Sequence, residues 1–144
     1  MKSSLYKIFI QCVTFNLLLG NSIIFVMNKS SFSGDVNYLL MLCMSFASLL
    51  CYYILFKSVT FSKHGWILLS ILSILNCMVI IALGGWIYSF TGTLIEEELS
   101  LSNISMAFFF SVIASLFAFT RFFLIGAAMG LLNLFWLIKA KRLR

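Results

Sequence analysis

Four long stretches of this chain carry almost no charge, at residues 5–27, 38–56, 66–90 and 104–138. A helix that crosses the roughly 30 Å hydrocarbon core of a bilayer takes about 20 apolar residues, and each stretch is long enough. In lipid the backbone must satisfy its own hydrogen bonds, so such runs are expected to be helical. Composition points the same way. Of 144 residues, 62% are hydrophobic and 10% charged, against about 45–50% and about 25% in a water-soluble domain. The expected fold class is all-α: a polytopic integral membrane protein, a bundle of four transmembrane helices forming a single membrane domain over residues 1–144. The spans and their links use the whole length and leave no room for a separate catalytic domain. Lys2 and Lys7 resemble the start of a signal peptide. The apolar stretch from Ile8 to Met27 is longer than a usual signal core, however, and no small-residue cleavage site follows it, so it reads as an uncleaved first helix.

Charge placement gives a direction to the spans. With the N-terminus inside, the inner side holds Lys2, Lys7, Lys57, Lys63, Lys139, Lys141, Arg142 and Arg144, and the outer side holds Lys29, Asp35 and Glu96–Glu98. Cytoplasmic loops carry the excess of Lys and Arg. Both termini are therefore expected in the cytoplasm, in the inner (plasma) membrane. The fourth stretch is over-long: as one straight helix, residues 104–138 would reach about 52 Å at 1.5 Å per residue. A hairpin turning at Thr120 and Arg121 is the alternative. Phe119 to Phe123 contains no Gly, Pro, Asn or Asp to make that turn, and a fifth span would move the basic tail outside. One long helix is the expectation. Trp66, Trp86, Tyr88 and Trp136 fall near span ends, where the headgroup region favours them.

Each span carries small or polar residues at helical spacing. The first has Gln11, Thr14 and Asn21, with Asn16 and Gly20 nearby; the second has Ser45, Ser48 and Tyr52. The third has Ser70, Ser73, Cys77 and Gly84, with Asn76 beside them; the fourth has Ser111, Ser115 and Ala118, then Gly126, Gly130 and Asn133. Small residues let helix backbones approach closely, so Gly126, Gly130, Ser70, Ser73 and Gly84 are expected to pack helices together. The Gly126-x-x-x-Gly130 groove suits either a helix of the same chain or one of a second copy, which leaves a homo-oligomer open. Arg121 is the one charge deep in a stretch. Arg at a helix centre costs about 2.5–3.5 kcal/mol on insertion scales. It reads as an anchor that snorkels to headgroups or pairs with Asp35 or Glu96–Glu98, or else as a site for an anionic headgroup. Asn133, Asn76 and Gln11 are the other candidates for contact with a substrate or headgroup.

Conventional enzyme signatures do not occur in the sequence. There is no intramembrane carboxylate pair, no supported Ser–His or Cys–His arrangement and no Gly-rich phosphate loop. His64, the only conventional base near neutral pH, stands beside Lys63 without a ligand set, so neither a metal site nor a cofactor is expected. The cysteines Cys12, Cys43, Cys51 and Cys77 lie singly within spans and read as packing residues. Nucleic-acid binding is not expected either, because topology accounts for the positive charge. The tail residues Lys139, Lys141, Arg142 and Arg144 are expected to bind anionic membrane lipid or to dock a protein partner, cytosolic or membrane-bound.

Two functions follow as expectations. The first is a non-enzymatic membrane subunit that works by helix packing and partner binding. In size and style the chain resembles small inner-membrane proteins of bacterial conflict systems, such as immunity, exclusion or phage-defence components. The second is a small translocator of a lipid-linked or amphipathic substrate. Asn16, Asn76, Lys57 and the segment Asn133–Lys139 resemble, at scattered positions, the small four-span flippases of lipid-linked sugars, without the Asn–Arg pairing of that family.

Overall fold

A computed structural model describes residues 3–29, 37–59, 61–96 and 101–142. Those residues are all-helical or in short links, with no strand among them. Four long helices, α1 (Ser3–Lys29), α2 (Tyr38–Ser58), α3 (Trp66–Glu96) and α4 (Leu101–Lys141), are joined by one short 3₁₀ turn at Phe61–Lys63 between α2 and α3. Each of the four contains a segment long and apolar enough to cross a membrane. The 21 residues of α2 extend about 32 Å, close to one bilayer core.

Helix ends follow local chemistry. Asn37 caps α2, its Oδ1 accepting from the Leu40 amide at 2.9 Å while its Nδ2 donates to the Tyr88 hydroxyl of α3 at 2.5 Å. At the other end of α2 the Val59 amide donates to the Leu55 carbonyl at 3.0 Å. Helix α3 runs on through Thr91, Gly92 and Thr93, where the sequence suggested a loop. Thr93 returns its hydroxyl to the Ser89 carbonyl at 2.9 Å, so this polar residue sits in the helix without an unsatisfied group. Helix α4 is continuous from Leu101 to Lys141, with no turn at Thr120 and Arg121.

The helices pack in chain order, with α3 and α4 in the most extensive contact and α1 touching α4 far less. Small residues make the α3–α4 contact close. A methyl group at Gly130 would lie 2.5 Å from the Ile74 Cα, and Ser73 donates to the Gly130 carbonyl at 2.6 Å. Gly126 faces the Ile81 and Met78 side chains, and Gly84 faces Met44 of α2.

Helix α4 meets α3 through both of its halves. Trp86 packs edge-on against Phe108, and Gly126 faces Ile81. Phe108 to Gly126 is about 27 Å of helix, whereas Trp86 to Ile81 is under about 8 Å. Ser111, Ser115 and Thr120 each bond the carbonyl three residues back, at 2.7, 3.1 and 2.9 Å. Hydroxyl back-bonds of this kind satisfy the polar side chains within their own helix.

The apolar core is off-centre. It gathers Ile8, Cys12 and Val13 of α1, Tyr52, Leu55 and Phe56 of α2, Phe61, Leu69, and Leu137 and Ala140 of α4. Phe61 from the 3₁₀ turn packs at a tilt against Phe56, 5.2 Å between ring centres, and Phe9 meets Phe56 edge-on at 5.7 Å. This end of the molecule also carries Lys57, Lys63, Lys139, Lys141 and Arg142, and is called the basic end below.

Candidate functional site

Just beyond that core, each long helix contributes one residue to a polar cluster. Asn133 of α4 is fully buried and donates through Nδ2 to Asn16 Oδ1 of α1 at 2.7 Å and to the Tyr52 hydroxyl of α2 at 2.6 Å. The same amide lies 3.3 Å from Cys77 Sγ of α3. Asn16 Nδ2 returns a bond to Asn133 Oδ1 at 2.8 Å and another to the Cys12 carbonyl at 2.7 Å, while Tyr52 donates to Asn16 Oδ1 at 3.3 Å. Every polar side-chain atom of Asn16, Tyr52 and Asn133 is therefore used. A buried amide without partners is costly, so a saturated cluster holds the helices in register.

On the far side of this cluster from the basic end the helices part. A cavity of about 340 Å³ lies between α1 and the other three helices, within the ~300–1,000 Å³ range of small-molecule sites. Its polar lining is Asn16, Asn21, Ser45, Ser48, Cys77 and Arg121, and the rest is apolar, chiefly Leu, Ile and Met. Asn21 Nδ2 donates to Ser45 Oγ at 3.1 Å, closing the α1–α2 wall. Ser48 is buried, and its Oγ has no hydrogen-bond partner among the described residues. Gly20 leaves the α1 wall open, since nothing lies within 4 Å of the position its Cβ would take. Arg121, exposed, stands three helical turns from Asn133, about 18 Å along α4.

The candidates singled out from sequence do not form one site. Arg121 lines the cavity, whereas Asn133 lies beneath it, saturated by its neighbours. Asn76 is half-buried, and its Nδ2 has no hydrogen-bond partner among the described residues. Gln11 is exposed at the basic end and accepts from Lys139 Nζ at 3.5 Å. Of the packing candidates, Gly84, Gly126, Gly130 and Ser73 meet a neighbouring helix of the same chain. Ser70, half-buried, donates to the Trp66 carbonyl of its own helix at 3.0 Å. Of the tail residues, Lys141 donates to the His64 carbonyl at 2.6 Å, Lys139 sits 5.5 Å over the Trp136 ring, Arg142 is exposed, and Arg144 lies outside the described residues. Asp35, Glu97 and Glu98, named as partners for Arg121, also lie outside them.

Sequence reasoning placed Asn16, Tyr52 and Cys77 in separate helical stripes and did not join them. The available signal was that three strong hydrogen-bonding side chains, Asn16, Tyr52 and Asn133, fall in mid-span, where each needs a partner. Comparison with known proteins finds no family model that matches the chain, no similar curated protein and no similar solved structure.

Proposed function

We propose that this chain is a non-enzymatic, multi-pass protein of the inner (plasma) membrane: a four-helix bundle with both termini cytoplasmic that admits an amphipathic molecule between α1 and its other helices and so carries it between leaflets. One observation carries this reading. The molecule is packed shut at the basic end by an apolar core and a saturated polar cluster, and is hollow on the other side of that cluster. A path closed at one end and open at the other is the arrangement expected of one state of a translocator. The cluster itself consists of neutral, mutually satisfied groups, which suits a fixed plug better than a reactive centre.

The competing reading is a membrane subunit of a conflict system that docks a partner on the basic tail. Two of its docking candidates, Lys139 and Lys141, already serve the helix ends, which leaves Arg142 and Arg144 to carry it.

The test is inter-leaflet exchange of a fluorescent phosphatidylglycerol in phosphatidylcholine vesicles containing the purified chain alone. The wild type should accelerate exchange. Gly20→Leu should abolish the acceleration at unchanged thermal stability, because its side chain meets open space and fills the cavity. If the wild type shows no acceleration, or Gly20→Leu matches it, the reading is wrong and the partner-docking alternative takes its place.

A further inference from the structure

We infer that the cavity is selective for an anionic amphiphile, an apolar tail bearing a phosphate or carboxylate, with Arg121 as the residue that recognises the charge; this rests on the cavity reading above. The lining is divided in character. Ile80 and Ile81 of α3 with Ile125 and Met129 of α4 make an apolar wall. At the end of that wall farthest from the polar cluster stands Arg121, the one ionised side chain among the described lining residues. A guanidinium is planar, stays charged and presents paired donors that match a carboxylate or phosphate edge to edge. Beside lipid, its pairing with an anion is screened less than in water.

A second, independent observation also points to an occupant. Ser48 is 6% exposed, lines the same cavity and leaves its hydroxyl without a partner among the described residues. Ser45, one turn away, bonds both Asn21 and the Met41 carbonyl. A buried hydroxyl left unpaired among apolar groups is unfavourable, and an oxygen of a bound amphiphile would satisfy it. The ligand so defined has its anionic end at Arg121, its chain along α3 and α4, and, to satisfy Ser48 as well, a second polar group at the inner end of that chain.

Binding to the purified full-length chain in a neutral detergent, read by native mass spectrometry, tests this with three probes. Dodecyl phosphate supplies chain and charge, dodecanol the chain alone, and inorganic phosphate the charge alone. Dodecyl phosphate should bind the wild type about tenfold more tightly than dodecanol, and inorganic phosphate should not be retained. Arg121→Leu should bring dodecyl phosphate down to the dodecanol level while dodecanol binding stays unchanged, which also shows that the variant is folded. Arg121→Lys should fall between, because a point charge lacks the paired donors. Equal binding of dodecyl phosphate and dodecanol, or undiminished preference in Arg121→Leu, overturns the assignment of Arg121 and leaves the cavity reading standing. Retention of inorganic phosphate by the wild type makes the site one for free anions and overturns the amphiphile. Failure of dodecanol and dodecyl phosphate alike to bind overturns both.

Discussion

Asn133 and Arg121 lie on the same helix, and their surroundings give them opposite roles. Asn133 is surrounded by Asn16, Tyr52 and Cys77 and uses all its hydrogen-bonding capacity inside the molecule. Single interhelical hydrogen bonds in membrane proteins average only about 0.6 kcal/mol and reach about 1.7. Removing a residue that serves several partners adds the penalty of leaving them unsatisfied. Asn133→Leu is therefore expected to cost about 2 kcal/mol of unfolding free energy. Asn16→Leu made on top of it should cost much less than it does alone, because the partner it would abandon is already gone. Reversible unfolding in mixed micelles measures all three variants. Strict additivity of the two single changes would show that the amides do not act as a pair.

At the scale of helices, α3 and α4 come together because two glycines and a serine remove the side chains that would hold them apart. The two glycines are not equivalent. A methyl at Gly130 would press on the Ile74 backbone at Cα, 2.5 Å away, and at N, 2.9 Å away. A methyl at Gly126 would meet the ends of the Ile81 and Met78 side chains, at 2.8 and 3.0 Å, which can swing aside. Gly130→Ala must separate two helices and is expected to cost about 1–3 kcal/mol. Gly126→Ala should stay within about 1 kcal/mol of wild type, since alanine's helix propensity offsets part of the crowding. Thermal unfolding of the two variants side by side decides it, and a Gly126→Ala change as damaging as Gly130→Ala would contradict this account of the groove. The sequence showed the Gly-x-x-x-Gly spacing but not which helix fills it. Both glycines face α3, so the groove is occupied within the chain.

For the whole molecule, the consequence of charge and packing together is polarity along the helix axes. Lys57, Lys63, Lys139, Lys141 and Arg142 share the end at which Phe56, Phe61 and Leu137 are buried. If that end faces the cytoplasm, as the excess of basic residues there favours, the cavity opens from the outer half of the bilayer. Reporter fusions made after Asn28 and Glu98 should then report the outer compartment, and fusions after Lys63 and Arg144 the cytoplasm. A C-terminal reporter outside would reverse the orientation proposed here. By itself the sequence determined that the chain is helical, where its four apolar helices lie, and which of their ends are basic. Those properties depend on runs of neighbouring residues and on the bilayer as solvent, so they can be read without knowing which helix touches which. The tertiary structure alone decided that Asn16, Tyr52, Cys77 and Asn133 meet, that Gly126 and Gly130 face α3, and that Arg121 borders a cavity. Each depends on the rotation and tilt of one helix against another, which close packing sets between residues as far apart in the chain as Asn16 and Asn133.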